Sequence, residues 1–230
     1  KEMPKAATVE TPVENQESDA DEEKEEKKDD EIKYFRDKRC AHESGKFNLY
    51  PLLHDPDSVI AKHLYEPAAA LIQNLYNKTS LWKKGQDLEY QILDGLIQKK
   101  ELSFYDAFAE KPELAQVFYK MLKGSNTYEA ETSNGIPPFF DFFRDDNSKH
   151  KIDFLHAPKA VLKTVLGDDL WRKIELLERE KNKPLPKKDF DPLLETFPQK
   201  KSQLQQLDLF IFGDKRSAEV DIAIDDTTGI

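Results

Sequence analysis

Residues 79–124 read TSLWKKGQDLEYQILDGLIQKKELSFYDAFAEKPELAQVFYKMLKG and hold the clearest helical periodicity in the chain. Leu81, Leu88, Ile92 and Leu96 recur near the helical repeat, and Trp82, Leu93 and Ile97 widen the stripe. Lys83, Lys84, Gln86, Glu89, Gln98 and Lys99 fall on the other side. The spacing predicts a helix opening near Leu81 with one face in need of a partner. A second helix is expected from Ser103, where Ser-Phe-Tyr-Asp has capping-box spacing. The Ser103 hydroxyl can accept a backbone N–H left free by the first turn, and Asp106 can reach back. A third begins at Pro112, whose fixed φ and missing N–H suit the first helical position. It offers Leu114, Val117, Phe118, Met121 and Leu122 before Gly124 supplies a left-handed stop. Three amphipathic helices with short joints should pack together, and the remaining apolar segments must dock on them.

Towards the N-terminus, Asp55-Pro56 reads as a cap and first helical residue before Val59, Ile60, His63 and Leu64. Pro67 kinks or restarts that helix, which continues through Leu71, Ile72 and Leu75. Residues 47–53 read as an irregular apolar connector, and residues 31–41 as a short helix through Ile32, Tyr34 and Phe35. Towards the C-terminus, residues 124–138 form a loop that delivers Phe139, Phe140, Phe142 and Phe143. Four phenylalanines in five positions are either a plug into the core or a partner-binding patch. Pro158 starts a helix with Val161, Leu162, Val165 and Leu166, which Gly167 closes. Asp168 or Asp169 caps the next, with Leu170, Trp171, Ile174 and Leu177 facing inward. Residues 182–188, NKPLPKK, favour an exposed extended linker. Beyond it, Asp191-Pro192 opens a short helix up to Phe197. Residues 207–212 and 220–224 then read as strands joined by GDKRSAE.

The predicted fold is therefore mainly α, a multi-helix bundle or array of helical pairs over residues 31–181. The linker at 182–188 leads to residues 189–230, a short helix and a small C-terminal β-hairpin appendage, or the start of a domain that continues past Ile230.

Of the 230 residues, 38% are hydrophobic and 35% charged, against about 45–50% and about 25% in ordinary globular chains. The imbalance sits in residues 1–30, with twelve acidic and five basic residues and no aromatic one. That is a net −7 of the chain's −10. Such a segment cannot bury enough apolar surface to offset its ordering entropy, so it is expected to be a disordered acidic tail or linker. Cys40 is the single cysteine, which excludes an internal disulfide and fits a reducing compartment. No apolar run has bilayer-spanning length and no signal peptide is visible. The chain opens on Lys1 rather than Met, which suggests a fragment or processed form whose acidic leader follows a membrane anchor or another domain. A cytoplasmic domain, free or tethered to a membrane, is the expected setting.

Few residues are spaced for chemistry. His42, His54, His63, His150 and His156 show no ligand spacing, so neither a metal nor a cofactor is expected. Asp145-Asp146-Asn147 resembles the start of a calcium loop, but His150 stands where Gly is required and His156 where a bidentate Glu should sit. No phosphate-binding glycine motif is present. Ser80-Leu-Trp-Lys83 satisfies Ser-x-x-Lys without the companion motifs of penicillin-binding enzymes. The lysines are scattered or confined to 181–201, and the body is close to neutral. Nucleic acid is therefore not an expected partner.

The run from Gly213 through Lys215-Arg216-Ser217 to Asp221-Ile222-Ala-Ile224-Asp225 resembles the opening strands of a forkhead-associated domain. In that family a Gly-Arg-Ser run precedes Asp-Ile-x-Ile-Asp, and the arginine grips a phosphothreonine peptide. The resemblance implies that Arg216 contacts phosphate, a task its guanidinium fork suits. Asp214 and Lys215 interrupt the motif, and its later Ser-x-x-His is not seen before Ile230. Glu219-Val-Asp221-Ile222 is also similar to the acidic strand of restriction-like nucleases, whose Glu-x-Lys would lie beyond Ile230. The expected function is a non-catalytic protein-interaction or scaffold domain of a larger, membrane-associated assembly. Other protein subunits, or a phosphopeptide at Arg216, would be its partners. The alternative is a metal-dependent nuclease fragment using Glu219, Asp221 and Asp225.

Overall fold

The computed structural model describes residues 34–36, 42–82, 87–102, 108–125, 135–147 and 150–213. Among these residues the fold is mainly α-helical. Its helices are α1 (Tyr50–His54), α2 (Val59–Tyr76), α3 (Leu88–Lys99), α4 (Pro112–Lys123), α5 (Lys159–Leu166), α6 (Asp168–Lys181), α7 (Lys187–Glu195) and α8 (Pro198–Leu207). Short parallel ladders join β1 (Phe47–Asn48) to β2 (Phe143–Arg144) and β3 (Ile152–Asp153) to β4 (Phe210–Ile211).

The hub is α2, which packs against α1, α3 and α5. Ala61, Leu64, Ala68, Leu71, Ile72 and Tyr76 are buried along it. Burial of Leu64, Leu71 and Ile72 stabilises the fold by about 1.5–3 kcal/mol each. The cap is Ser58, not Asp55. The Ser58 Oγ accepts the Ala61 N–H at 3.1 Å, while the Asp55 carbonyl accepts the Ser58 N–H and hydroxyl. Pro67 sits inside the helix, which runs on past it to Tyr76.

The stripe expected on α3 is present, with Leu88, Ile92, Leu93 and Leu96 buried, but the helix opens at Leu88 rather than Leu81. Thr79 explains the delay: its hydroxyl donates to the Tyr76 carbonyl and accepts the Leu81 N–H, which places Leu81 in the turn after α2. The helix expected from Ser103 falls on residues 103–107, outside the described residues. Helix α4 begins at Pro112 and stops at Gly124 (φ 64°), as the spacing predicts, with Leu114, Phe118 and Met121 buried.

Phe139, Phe142 and Phe143 are 0%, 5% and 1% exposed, which removes them from any partner-binding patch. Phe140 alone of the four is exposed, at 44%. The rings instead form a chain through the core. Phe118 meets Phe139 edge-on at 5.4 Å, Phe139 stacks on Phe143 at 4.4 Å, and Phe143 meets Phe47 at 6.2 Å. This chain makes residues 47–53 a strand and helix rather than an irregular connector. With Phe47 drawn inward, its N–H reaches the Phe142 carbonyl and the Leu49 N–H that of Arg144, both at 2.8 Å.

Differences from expectation gather near the C-terminus. Residues 182–186 join α6 to α7, with Asn182 left-handed (φ 44°) and Leu185 1% exposed, not a free linker. Pro186 is the residue before α7, which opens at Lys187 and carries Pro192 inside it. Helix α8 was not legible because Leu204 and Leu207 alone are buried on an otherwise polar segment. Phe210–Ile211 is the expected strand, but it pairs in parallel with Ile152–Asp153. Residues 220–224, the expected second arm of a hairpin, lie outside the described residues.

One polar assembly lies wholly in the interior. Glu178 on α6 is fully buried, and its Oε2 accepts from the Tyr34 hydroxyl and Arg36 Nε, both at 2.6 Å. Its Oε1 accepts from Arg36 Nη2 at 2.6 Å and from the Leu185 N–H at 2.8 Å. Arg36 Nη1 donates to the carbonyls of Phe154 and Ala157 at 2.9 Å, and the guanidinium lies over the Phe154 ring. Residues 34–36 thus form a turn clipped into the core, not part of a surface helix. Around the clip, Lys159 and Arg179 both donate to Glu175, and Arg179 covers the Tyr34 ring. Partial burial pushes the Glu175 carboxyl up, and the hydrogen bonds from Lys159 and Arg179 more than offset this, leaving it below its ordinary 4.5.

Arg36→Ala should destabilise the protein by about 3–5 kcal/mol in urea unfolding, because it strands a buried carboxylate. Arg36→Met combined with Glu178→Leu should recover part of that loss. The lowered Glu175 carboxyl adds stability present above pH 4.5 and lost as pH falls through its folded-state value. Glu175→Gln should therefore flatten the acid limb of a stability-versus-pH curve; an unchanged limb would refute the assignment.

Candidate functional site

The turn after α2, the start of α3 and the exposed side of α4 enclose an open cleft of about 730 Å³. Its apolar surface comes from Leu81, Leu88, Leu114 and Val117, and its polar surface from Ser80, Gln91, Lys111, Glu113, Gln116 and Lys120. The local sequence explains the lining. On α4, Leu114, Phe118 and Met121 are spent on the core, while Val117 is half-buried beside them and Glu113, Gln116 and Lys120 stand on the water side. Pro112 begins the helix at the cleft edge. An aliphatic surface ringed by amides, a hydroxyl, two lysines and one glutamate suits an amphipathic segment.

A smaller cleft of about 380 Å³ lies between α7 and α8, lined in part by Phe190, Leu194, Leu204, Phe210 and Phe212. Phe154 stacks on Phe212 at 4.8 Å and meets Phe190 at 5.1 Å, so these rings also serve the core. Several nearby lysines are engaged. Lys201 pairs with Glu195 at 2.7 Å, Lys181 with Asp189 at 3.0 Å, and Lys151 with Asp208. Lys200 donates to the Val165 carbonyl at the end of α5, and burial pushes its amine down. Of the basic concentration at 181–201, Lys181, Lys200 and Lys201 thus work within the fold.

A third place gathers polar side chains distant in sequence. His156 Nδ1 meets Asp153 Oδ2 at 2.7 Å, and the Ser44 hydroxyl lies 3.3 Å from that same oxygen. His42 Nδ1 lies 2.7 Å from Ser44 Oγ and accepts the Ser44 N–H, while the two imidazoles sit 4.9 Å apart. Asp153 is held by its own turn, its Oδ1 accepting the Leu155 N–H. The arrangement differs from a nucleophilic triad, in which one imidazole bridges hydroxyl and carboxylate. Here separate imidazoles touch each, and the hydroxyl meets the carboxylate directly. Among the described residues no group of three or more His, Cys, Asp or Glu side chains could hold a metal ion. Sequence spacing gave no sign of this cluster, because 109 positions separate Ser44 from Asp153.

The other residues singled out in the sequence have structural partners or lie out of view. Asp145 faces His54 at 3.3 Å, and Asp146 accepts from Arg144 and the Asn48 amide, so this loop is occupied by protein groups. Arg216, Glu219, Asp221 and Asp225 lie outside the described residues, as does Lys83. Among the described residues no helix is long and apolar enough to cross a membrane. No protein-family model, curated protein or solved structure matches the chain.

Gly45 joins the histidine cluster to the core, because a Cβ there would fall 2.3 Å from the His156 carbonyl oxygen. Gly45→Ala should cost about 1–3 kcal/mol in chemical denaturation. It should also shift the imidazole resonances of His42 and His156; unshifted resonances would show that the close approach does not set their placement.

Proposed function

We propose that the chain is a non-catalytic interaction domain of a larger assembly, and that it holds a segment of another protein subunit in the cleft between α3 and α4. The observation that carries this is the lining of that cleft: aliphatic side chains at its base, hydrogen-bonding groups at its rim, and a volume of about 730 Å³. A helical or extended segment would bury apolar side chains against Leu81, Leu88, Leu114 and Val117. Ser80, Gln91 and Gln116 would meet its backbone or polar side chains, and Lys111, Glu113 and Lys120 would set its register by charge.

The test compares cross-linked partners of the wild type with those of Val117→Glu, which places a carboxylate in the cleft, and of Leu176→Glu. Leu176 is 62% exposed and does not line the cleft. A subunit captured by the wild type and Leu176→Glu but lost from Val117→Glu, with melting temperatures unchanged, is the expected result. Equal capture by all three would refute this use of the cleft.

A further inference from the structure

Asp153 and Ser44 form a base on which two imidazoles stand. The Asp153 side chain is 8% exposed. Its Oδ2 meets His156 Nδ1 at 2.7 Å and the Ser44 hydroxyl at 3.3 Å, and that hydroxyl lies 2.7 Å from His42 Nδ1. A carboxylate only accepts, so it holds the His156 proton on Nδ1 and leaves the Nε2 lone pair free, the arrangement that prepares a histidine to bind a metal. The same carboxylate reaches His42 through the hydroxyl. Ser44 Oγ donates to Asp153 and can accept from His42 Nδ1–H, which frees the second Nε2. Both rings plant Nδ1 on one base, so both Nε2 atoms face away from it, on side chains exposed to solvent. The ring centres are 4.9 Å apart. Two imidazoles bound through nitrogen at about 2.0–2.1 Å to one ion, with bond angles from octahedral to tetrahedral, have centres about 4.5–5.2 Å apart.

We propose that His42 and His156 bind a divalent zinc ion through their Nε2 atoms, with water in the remaining coordination positions. Neutral imidazole is an ordinary zinc ligand, and the directed Nδ1 contacts set ring orientation in advance. Among the described residues no group of three or more His, Cys, Asp or Glu side chains could hold a metal, so this is a two-ligand site and its ion exchanges readily. Binding selects the Nδ1–H form of His42. The 3.3 Å contact from the Ser44 N–H to that nitrogen is given up, and an unbroken line of donors from His42 through Ser44 to Asp153 replaces it. The ion ties residues 42–45 to the turn after β3 and stabilises the protein as it fills the site.

The experiment titrates zinc chloride into the full chain carrying Cys40→Ser, which removes its single thiol as an alternative ligand. Calorimetry is expected to show one site per chain. In that chain His42→Gln and His156→Gln should each weaken binding by about tenfold or more, whereas His63→Gln, which removes an imidazole that contacts Gln206, should leave it unchanged. Asp153→Asn tests the base: its amide donates to His156 Nδ1, moves that ring's proton to Nε2, and should weaken binding by about 10–100-fold. Should a variant fail to fold, nitrogen-15 spectra of the Cys40→Ser chain answer the same question, since zinc should move the Nε2 resonances of His42 and His156 and not that of His63. Absence of zinc binding, an affinity unchanged by either glutamine substitution at His42 and His156, or spectra in which those two rings do not respond overturns the proposal.

Discussion

The ion pair between Arg36 and Glu178 is the constraint around which the described C-terminal half is arranged. Two charges with side chains 1% and 0% exposed survive in an apolar interior only when every hydrogen-bonding position is answered. Answering them draws three separate segments together. The clip supplies the guanidinium and a phenol, the turn at Phe154–Ala157 supplies two carbonyls, and the turn after α6 supplies the Leu185 N–H. Helix α6 must therefore present Glu178 inward, on the same side as Leu170, Trp171 and Ile174. The segment at residues 182–186 must stay beside Glu178, to which the Leu185 N–H donates, which in turn sets where α7 begins.

The other half is held by apolar contact. Helix α2 offers buried positions to α1, α3 and α5. The ring chain from Phe118 through Phe139 and Phe143 to Phe47 ties α4 to the β1–β2 ladder. Tyr76 links the two systems: its ring is fully buried on α2 while its hydroxyl donates to the Pro137 carbonyl just before the phenylalanine run. Aromatic side chains satisfy both demands here, apolar area for the core and, in tyrosine, a polar tip that reaches the Pro137 carbonyl. With Phe139, Phe142 and Phe143 spent inward, the cleft between α3 and α4 is lined by the buried Leu81, Leu88 and Leu114 and the half-buried Val117 beside charged and amide groups.

Legibility in the sequence followed the range of the interactions. The stripes of α3 and α4, the Pro112 start and the Gly124 stop are local, because i, i+3 and i+4 neighbours and backbone conformations are written in adjacent residues. Glycines at 124 and 167 ended helices where expected, with φ of 64° and 82°. Helix starts that rest on which side-chain oxygen wins a backbone N–H were displaced, as with Ser58 in place of Asp55. So was α3, whose predicted first turn is taken by the Thr79 turn. The cleft was visible only as polar and apolar sides of single helices. Its existence depends on how the turn after α2, the start of α3 and α4 come together, which no periodicity encodes. The Ser44–Asp153–His156 cluster and the guanidinium pocket gave no local sign, since Arg36 and Glu178 are 142 positions apart.

From its sequence alone the protein is an acidic-led, mainly helical chain whose charge imbalance resides in residues 1–30 and whose apolar stripes demand partners. Composition and periodicity determine this much, because a segment with few apolar side chains has little to bury and a stripe in water has a surface to hide. Only the tertiary structure decided that Glu178, one charged residue among many on α6, turns inward, that Leu185 within NKPLPKK is buried, and that Phe140 alone of its run meets solvent. The physical reason is the same in each case. Whether a residue is buried depends on the partner that arrives from a distant part of the chain, and that partner is chosen by the energy of the assembled core rather than by neighbours in sequence.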